Sequence, residues 1–180
     1  MMIKQQKSEV RKQIHSLKKQ YTHDEKKIKS QKIFEQVEKI IDFQKAETVM
    51  AYWSMDDEVY THDFVLKWFK EKTIILPSVK GDELELRVFN GLDSMIEGAA
   101  FGIKEPRQLF KENLNKIDVI IVPGVAFDKQ NNRLGRGKAY YDKLLSKTSA
   151  LKIGVCFDFQ LLESVPADKY DIKMDRVITG

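Results

Sequence analysis

Cysteine is almost absent from this chain, with Cys156 the only one in 180 residues. A lone cysteine rules out a disulfide framework and fits a reducing cytoplasm. Its setting, Ile153-Gly154-Val155-Cys156-Phe157, marks it as a buried strand thiol rather than a nucleophile. Long apolar runs are missing too. No stretch approaches a membrane span, and the lysine-rich start lacks the apolar segment of a signal peptide, so no membrane partner is expected. The three histidines, His15, His23 and His62, show no metal-ligand spacing and read as surface residues. Neither an internal repeat nor a low-complexity linker divides the chain, so a single α/β domain spanning residues 1–180 is expected. Nothing calls for a partner subunit, and a monomer is favoured.

Hydrophobic residues make up 42% and charged residues 32%, an ordinary balance for a globular protein. The net charge of +4 is uneven: residues 1–32 hold ten Lys/Arg and three Asp/Glu, a net +7, which leaves −3 for the remainder. That asymmetry permits an RNA-binding module, since phosphate neutralisation drives such binding. Aromatic stacking platforms are scarce in this segment, where Tyr21 stands alone, and a solvated helix face is the commoner explanation. No nucleic-acid partner is expected.

Periodicity supplies the elements. Lys7–Lys19 reads as a helix with Val10, Ile14 and Leu17 on one stripe, and Lys7 and Arg11 lie four residues apart along its edge. Like charges at that spacing repel unless an anion lies between them. Thr22-His23-Asp24-Glu25 matches a capping box and opens a helix carrying Ile28, Phe34, Val37 and Ile41. Thr48–Trp53 reads as a strand, Ser54–Glu58 as a loop and His62–Lys70 as a helix. Thr73–Leu76 reads as a strand closed by Pro77, and Glu83–Phe89 alternates like a half-exposed strand. Gly91–Pro106 reads mostly as loop, Val119–Val122 as a buried strand, Gln160–Glu163 as a short helical stretch and Arg176–Thr179 as a last strand. Strands alternating with helices predict an α/β fold: a mainly parallel sheet flanked by helices on both faces, a Rossmann-like three-layer sandwich. In such sheets ligands bind beyond the carboxyl ends of the strands, so the loops 53–58 and 128–138 are expected to share one cleft.

The segment after Pro123-Gly124 carries the chemistry. Arg133-Leu134-Gly135-Arg136-Gly137-Lys138 runs directly into Ala139-Tyr140-Tyr141-Asp142, where helical spacing begins. Gly135 and Gly137 allow positive φ and close approach of a ligand. The first helical amides favour anions, and three cations crowd the same place. A phosphate site is expected, yet neither standard motif fits. Lys138 is followed by Ala139 rather than Ser or Thr, and Tyr140 stands where a dinucleotide fingerprint needs a small residue. Asp142, one turn past Lys138, is either a like-charge penalty beside phosphates or an oxygen ligand for Mg²⁺. A basic surface turn with Asp142 on a solvated face is the plainer alternative.

The strings VPGVAFD and RLGRGKAYYD strongly resemble the signature of the 5-formyltetrahydrofolate cyclo-ligases, also called methenyltetrahydrofolate synthetases. Lys7 and Arg11 resemble that family's N-terminal Lys-x-x-x-Arg, residues 53–58 (WSMDDE) its early substrate loop, and residues 171–179 (DIKMDRVIT) its closing segment. Ala139 departs from the family's more usual glycine, which is expected to be tolerated if the position is helical. The resemblance implies ATP-dependent closure of 5-formyltetrahydrofolate to 5,10-methenyltetrahydrofolate, with MgATP as co-substrate and ADP and phosphate released. It also implies site roles. Lys7, Arg11, Arg133, Leu134, Gly135, Arg136, Gly137, Lys138, Ala139, Tyr140 and Tyr141 form the nucleotide segment, with Arg136 and Lys138 catalytic. Trp53, Glu58 and Tyr140 line the folate site beside Arg136, Gly137, Lys138 and Ala139. Asp142 and Asp175 hold Mg²⁺. Duller roles compete: Trp53 as core at a strand end, Glu58 as one of several solvated acids, Asp175 as a cap. A different ATP-dependent small-molecule kinase on the same frame is a further rival, because fold alone does not settle chemistry.

Overall fold

A computed structural model of the chain describes residues 2–98 and 102–180. Helices α1 (Ile3–Lys18), α2 (His23–Val37) and α3 (Ile41–Lys45) precede β1 (Thr48–Met50) and α4 (His62–Trp68). Then come β2 (Thr73–Lys80), β3 (Glu83–Val88), β4 (Met95–Glu97), β5 (Lys104–Pro106) and β6 (Gln108–Leu109). The rest comprises β7 (Val119–Val122), β8 (Ala126–Asp128), β9 (Arg133–Leu134), α5 (Tyr140–Leu145), β10 (Leu151–Cys156), β11 (Leu161–Leu162) and β12 (Arg176–Thr179).

The main sheet has seven strands in the order β12-β10-β7-β1-β2-β3-β6. All neighbours from β12 to β2 are parallel, while β3 and β6 add an antiparallel margin. Period-two alternation then sorts the core. Val49, Val119, Ile121, Ile153 and Val155 face α2, α3 and α4 on one side. Met50, Ile120, Val122 and Cys156 face Leu144 and Leu145 of α5 on the other. Helices on both faces leave the carboxyl ends of the strands as the open edge. A third cluster, Ile14, Ala126, Leu134 and Val165, docks α1 against β8 and β9.

Several expectations needed correction. α2 stops at Val37, and Ile41 begins a separate helix with 64% of its surface exposed. No glycine or proline marks the break; Gln44 caps it by donating to the carbonyl of Glu38 at 3.1 Å. Ile28 is likewise exposed, and Ile33 takes its place in the core. The capping box itself forms, with Thr22 Oγ1 accepting from Glu25 N–H at 3.2 Å and Glu25 accepting from Thr22 N–H at 2.8 Å. Pro77 does not close β2. The ladder with β1 ends at Ile75, so a residue without an N–H sits where β2 pairs only with β3.

The expected loop 91–106 contains the antiparallel pair β4–β5, with Met95 opposite Pro106; its residues 99–101 lie outside those described. The expected helical stretch 160–163 is a 3₁₀ turn, Asp158–Gln160, followed by β11 pairing with β8. Buried Gln160 explains this path: its amide donates to the carbonyls of Gly124 and Val125 at 3.1 and 2.9 Å and accepts from Phe157 N–H. β1 is also shorter than the strand expected from residues 48–53, and Trp53 lies beyond it.

Candidate active site

The glycine-rich loop begins under cover. Arg133 is only 4% exposed, and its guanidinium donates to the carbonyl of Pro123 at 3.2 Å and to Asp142 at 3.1 Å. The ring of Tyr141 lies 5.6 Å from that guanidinium, and burial pushes the Tyr141 hydroxyl pKa well up, so it stays protonated. Arg133 Nε is buried with no protein partner among the described residues. Leu134 points into the α1 cluster. Gly135 does not take positive φ; its missing side chain makes room for Arg133, whose Nη1 would lie 2.9 Å from an added Cβ.

From Arg136 onward the chain turns outward. Gly137 has φ 100°, which only glycine adopts at ease. Ala139 stands at φ 56°, left-handed and outside the helix, which starts at Tyr140. The expectation that Ala139 is helical is therefore corrected. Its methyl group is carried in a conformation that costs an L-residue about 1–2 kcal/mol. α5 has six residues, so its dipole is small beside the full charges of the loop's cations. Lys138 is exposed and makes no hydrogen bond or ion pair among the described residues.

Contacts from three distant elements reach this loop. Arg11 of α1 donates to the carbonyl of Gly135 at 2.9 Å and lies 3.5 Å from the Cβ that Gly137 lacks. Arg136, 48% exposed, pairs with Asp57 at 2.7 Å and Glu58 at 3.2 Å, so the loops 53–58 and 128–138 do meet at one edge. Burial opposes charge on Arg136, but Glu58 and Asp57 outweigh it and hold its pKa above the ordinary value. Tyr140 reaches the carbonyl of Gly81 in the β2–β3 turn at 3.5 Å.

Other expected residues have different neighbours. Lys7 is paired with Asp168 at 2.7 Å and Asp171 at 2.5 Å; these carboxylates overcome its burial, raise its pKa and relieve the repulsion from Arg11. Trp53 stacks on His62 with ring centroids 3.7 Å apart and planes 11° from parallel. His62 is thus half-buried rather than a surface residue, and burial lowers its pKa. Asp142 and Asp175 share no partner. Asp142 accepts from Arg133 and from Ile172 N–H at 3.2 Å, whereas Asp175 accepts from Lys152 N–H at 2.7 Å at the amino end of β10. Among the described residues no group of three or more His, Cys, Asp or Glu is placed to hold a metal.

Sequence reasoning missed Lys18 and Asp57. Lys18 is buried, at 5% exposure, with its Nζ 3.2 Å from Asp57. A signal existed: Lys7, Arg11, Ile14 and Lys18 follow one helical stripe, i, i+4, i+7 and i+11. A buried residue inside a cationic stripe means that the cations themselves face protein.

The acidic loop after parallel strand β1 and the glycine-rich, cationic loop after antiparallel strand β9 meet at the edge where α/β enzymes commonly bind ligands. The chain belongs to the 5-formyltetrahydrofolate cyclo-ligase family, whose sequence profile matches residues 3–180. It is 28% identical over 190 aligned residues to the 5-formyltetrahydrofolate cyclo-ligase of Haemophilus influenzae, covering 99% of this chain and 100% of that protein. Among solved structures, the 5,10-methenyltetrahydrofolate synthetase of Aquifex aeolicus superposes with a TM-score of 0.86 at 37% identity, covering 96% of this chain and 89% of that one. A 5,10-methenyltetrahydrofolate synthetase from Mycoplasma pneumoniae gives 0.75 at 28% identity, covering 96% and 97%.

Proposed function

We propose that this chain converts 5-formyltetrahydrofolate to 5,10-methenyltetrahydrofolate at the expense of ATP, releasing ADP and phosphate, as one α/β domain acting as a monomer in the cytoplasm. The observation that carries this reading is the Arg136 bridge, 2.7 Å to Asp57 and 3.2 Å to Glu58, which closes an acidic loop onto the glycine-rich one. Cations on one loop facing Glu58 on the other suit a nucleotide tail beside a pterin.

The chemistry explains why ATP is needed. A formyl amide is a poor electrophile, and its oxygen is a poor leaving group. Attack of that oxygen on the γ-phosphorus expels ADP and gives an imino-phosphate. N10 then adds to the activated carbon and loses its proton, and phosphate departs with the oxygen. The protein's task is positioning and charge neutralisation. Exposed Lys138 and Arg136 steady the transferring phosphoryl group, Gly137 brings backbone close to it, and Arg11 and Lys7 approach from α1. Glu58 receives hydrogen bonds from the pterin, and the Trp53–His62 stack forms an aromatic wall.

Magnesium, a hard cation that is reluctant to give up its waters, would ask few ligands of the protein. Asp142 fits this, because Arg133 and Ile172 N–H leave it spare lone pairs. The metal would neutralise phosphate charge there. Asp175 does not fit beside it, since it lies at the amino end of β10, away from the carboxyl ends of the strands, and shares no partner with Asp142.

The test is spectroscopic. Protein, MgATP and 5-formyltetrahydrofolate together should generate the methenyl chromophore, and omission of ATP should abolish it. No chromophore, or an equal signal without ATP, sinks the reading.

A further inference from the structure

We propose that Asp57 and the buried Lys18 are positioning residues that hold Arg136 off the nucleotide until folate arrives, so that the two substrates bind with positive coupling. This inference rests on the functional reading above.

Lys18 closes α1, and a buried ammonium is costly unless paired. Its partner is Asp57, whose two oxygens are divided: Oδ2 takes Lys18 at 3.2 Å and Oδ1 takes Arg136 at 2.7 Å. Glu58 is divided likewise, with Oε2 accepting Met55 N–H at 3.0 Å and Oε1 facing Arg136 at 3.2 Å. Arg136 is therefore already engaged by the two carboxylates that a phosphate must displace. When a pterin claims Glu58, Arg136 loses one of these ligands and moves more readily to an anion. Asp57 is not stranded by that move, because Lys18 continues to neutralise it. Lys18 thus sets how tightly Asp57 grips Arg136 without touching either substrate. Burial lowers the pKa of Lys18, which Asp57 partly restores, while Lys18 and Arg136 together lower that of Asp57 against its own burial.

The test is titration of a non-hydrolysable ATP analogue with Mg²⁺, with and without 5-formyltetrahydrofolate. Lys18→Met leaves Asp57 to Arg136 alone and should weaken analogue binding about fivefold. Asp57→Asn should tighten binding about threefold without folate and flatten the gain that folate brings. In an Arg136→Gln background, Lys18→Met should change nothing further. An equal loss in that background means that Lys18 acts through its field on the phosphates, and the proposal is overturned. Wild-type behaviour of both single variants overturns it too, and Asp57→Asn alone decides the matter if Lys18→Met does not fold. A wild-type protein that binds no analogue and forms no chromophore overturns the functional reading and this inference together. An active wild type with flat variants overturns only the inference.

Discussion

Arg133 and Lys138 lie five positions apart in the sequence, yet one is buried and ion-paired and the other is exposed with no partner among the described residues. The inner half, Arg133 to Gly135, is a framework: a buried guanidinium tied to Asp142 and Pro123, a core leucine, and a glycine that leaves space for the arginine. The outer half, Arg136 to Ala139, is exposed, carries both positive-φ positions of the loop and includes one cation with no partner among the described residues. Charge alone does not distinguish a ligand residue from a structural one. What separates Arg133 from Arg136 and Lys138 is that its own guanidinium is buried.

Substitutions in the two halves should separate accordingly. The largest effect is expected from Lys138→Ala, with turnover reduced about 10²–10³-fold and the unfolding midpoint unmoved. Near-normal cyclisation by that variant would erase the division. Arg133→Met should act on stability instead, costing about 3 kcal/mol by leaving Asp142 unpaired; denaturant unfolding measures it. A folded variant of undiminished stability would return Arg133 to the ligand-binding half. Glu58→Gln should raise the KM for folate about tenfold with little change for ATP, and equal losses for both substrates would contradict its placement at the pterin. Ala139→Gly should stabilise by about 0.5 kcal/mol, because relief of the left-handed methyl exceeds the entropy lost. A destabilised variant would mean that the methyl group packs.

A pH effect should be smaller still. Burial lowers the His62 pKa in the folded state, so the unfolded chain takes up the proton first as pH falls. Stability should be unaffected above the ordinary histidine pKa of about 6.5 and decline as the pH drops from there through the lowered folded value. His62→Phe should keep the stack on Trp53 and flatten that part of the stability–pH curve.

Much of this was legible in the sequence because the parallel strands are buried on both faces and read as continuous apolar runs. Val119–Val122 did so, and the sheet followed. The capping box at Thr22 was equally plain. The break at Glu38 was not, because a side chain six residues away makes it. Nor was the path through Gln160, whose amide meets carbonyls more than thirty residues distant. Within the site, residue type and spacing pointed to the loop but not to its partition. Whether an arginine is buried against an aspartate nine residues on depends on tertiary packing, and so does the choice of Asp57 as the partner of Lys18.

The contacts that join α1 and the facing loops span great lengths of chain: Arg136 to Asp57 crosses 79 residues, Arg11 to Gly135 crosses 124, and Lys7 to Asp171 crosses 164. Closing such loops is entropically late, so the β2–β3 hairpin should form well before the first helix finds its berth. During synthesis, Lys7 can find its carboxylates only after Asp168 and Asp171 have emerged. A chain stalled before Asp168 would carry most of its buried strands but leave the Lys7 ammonium without either carboxylate.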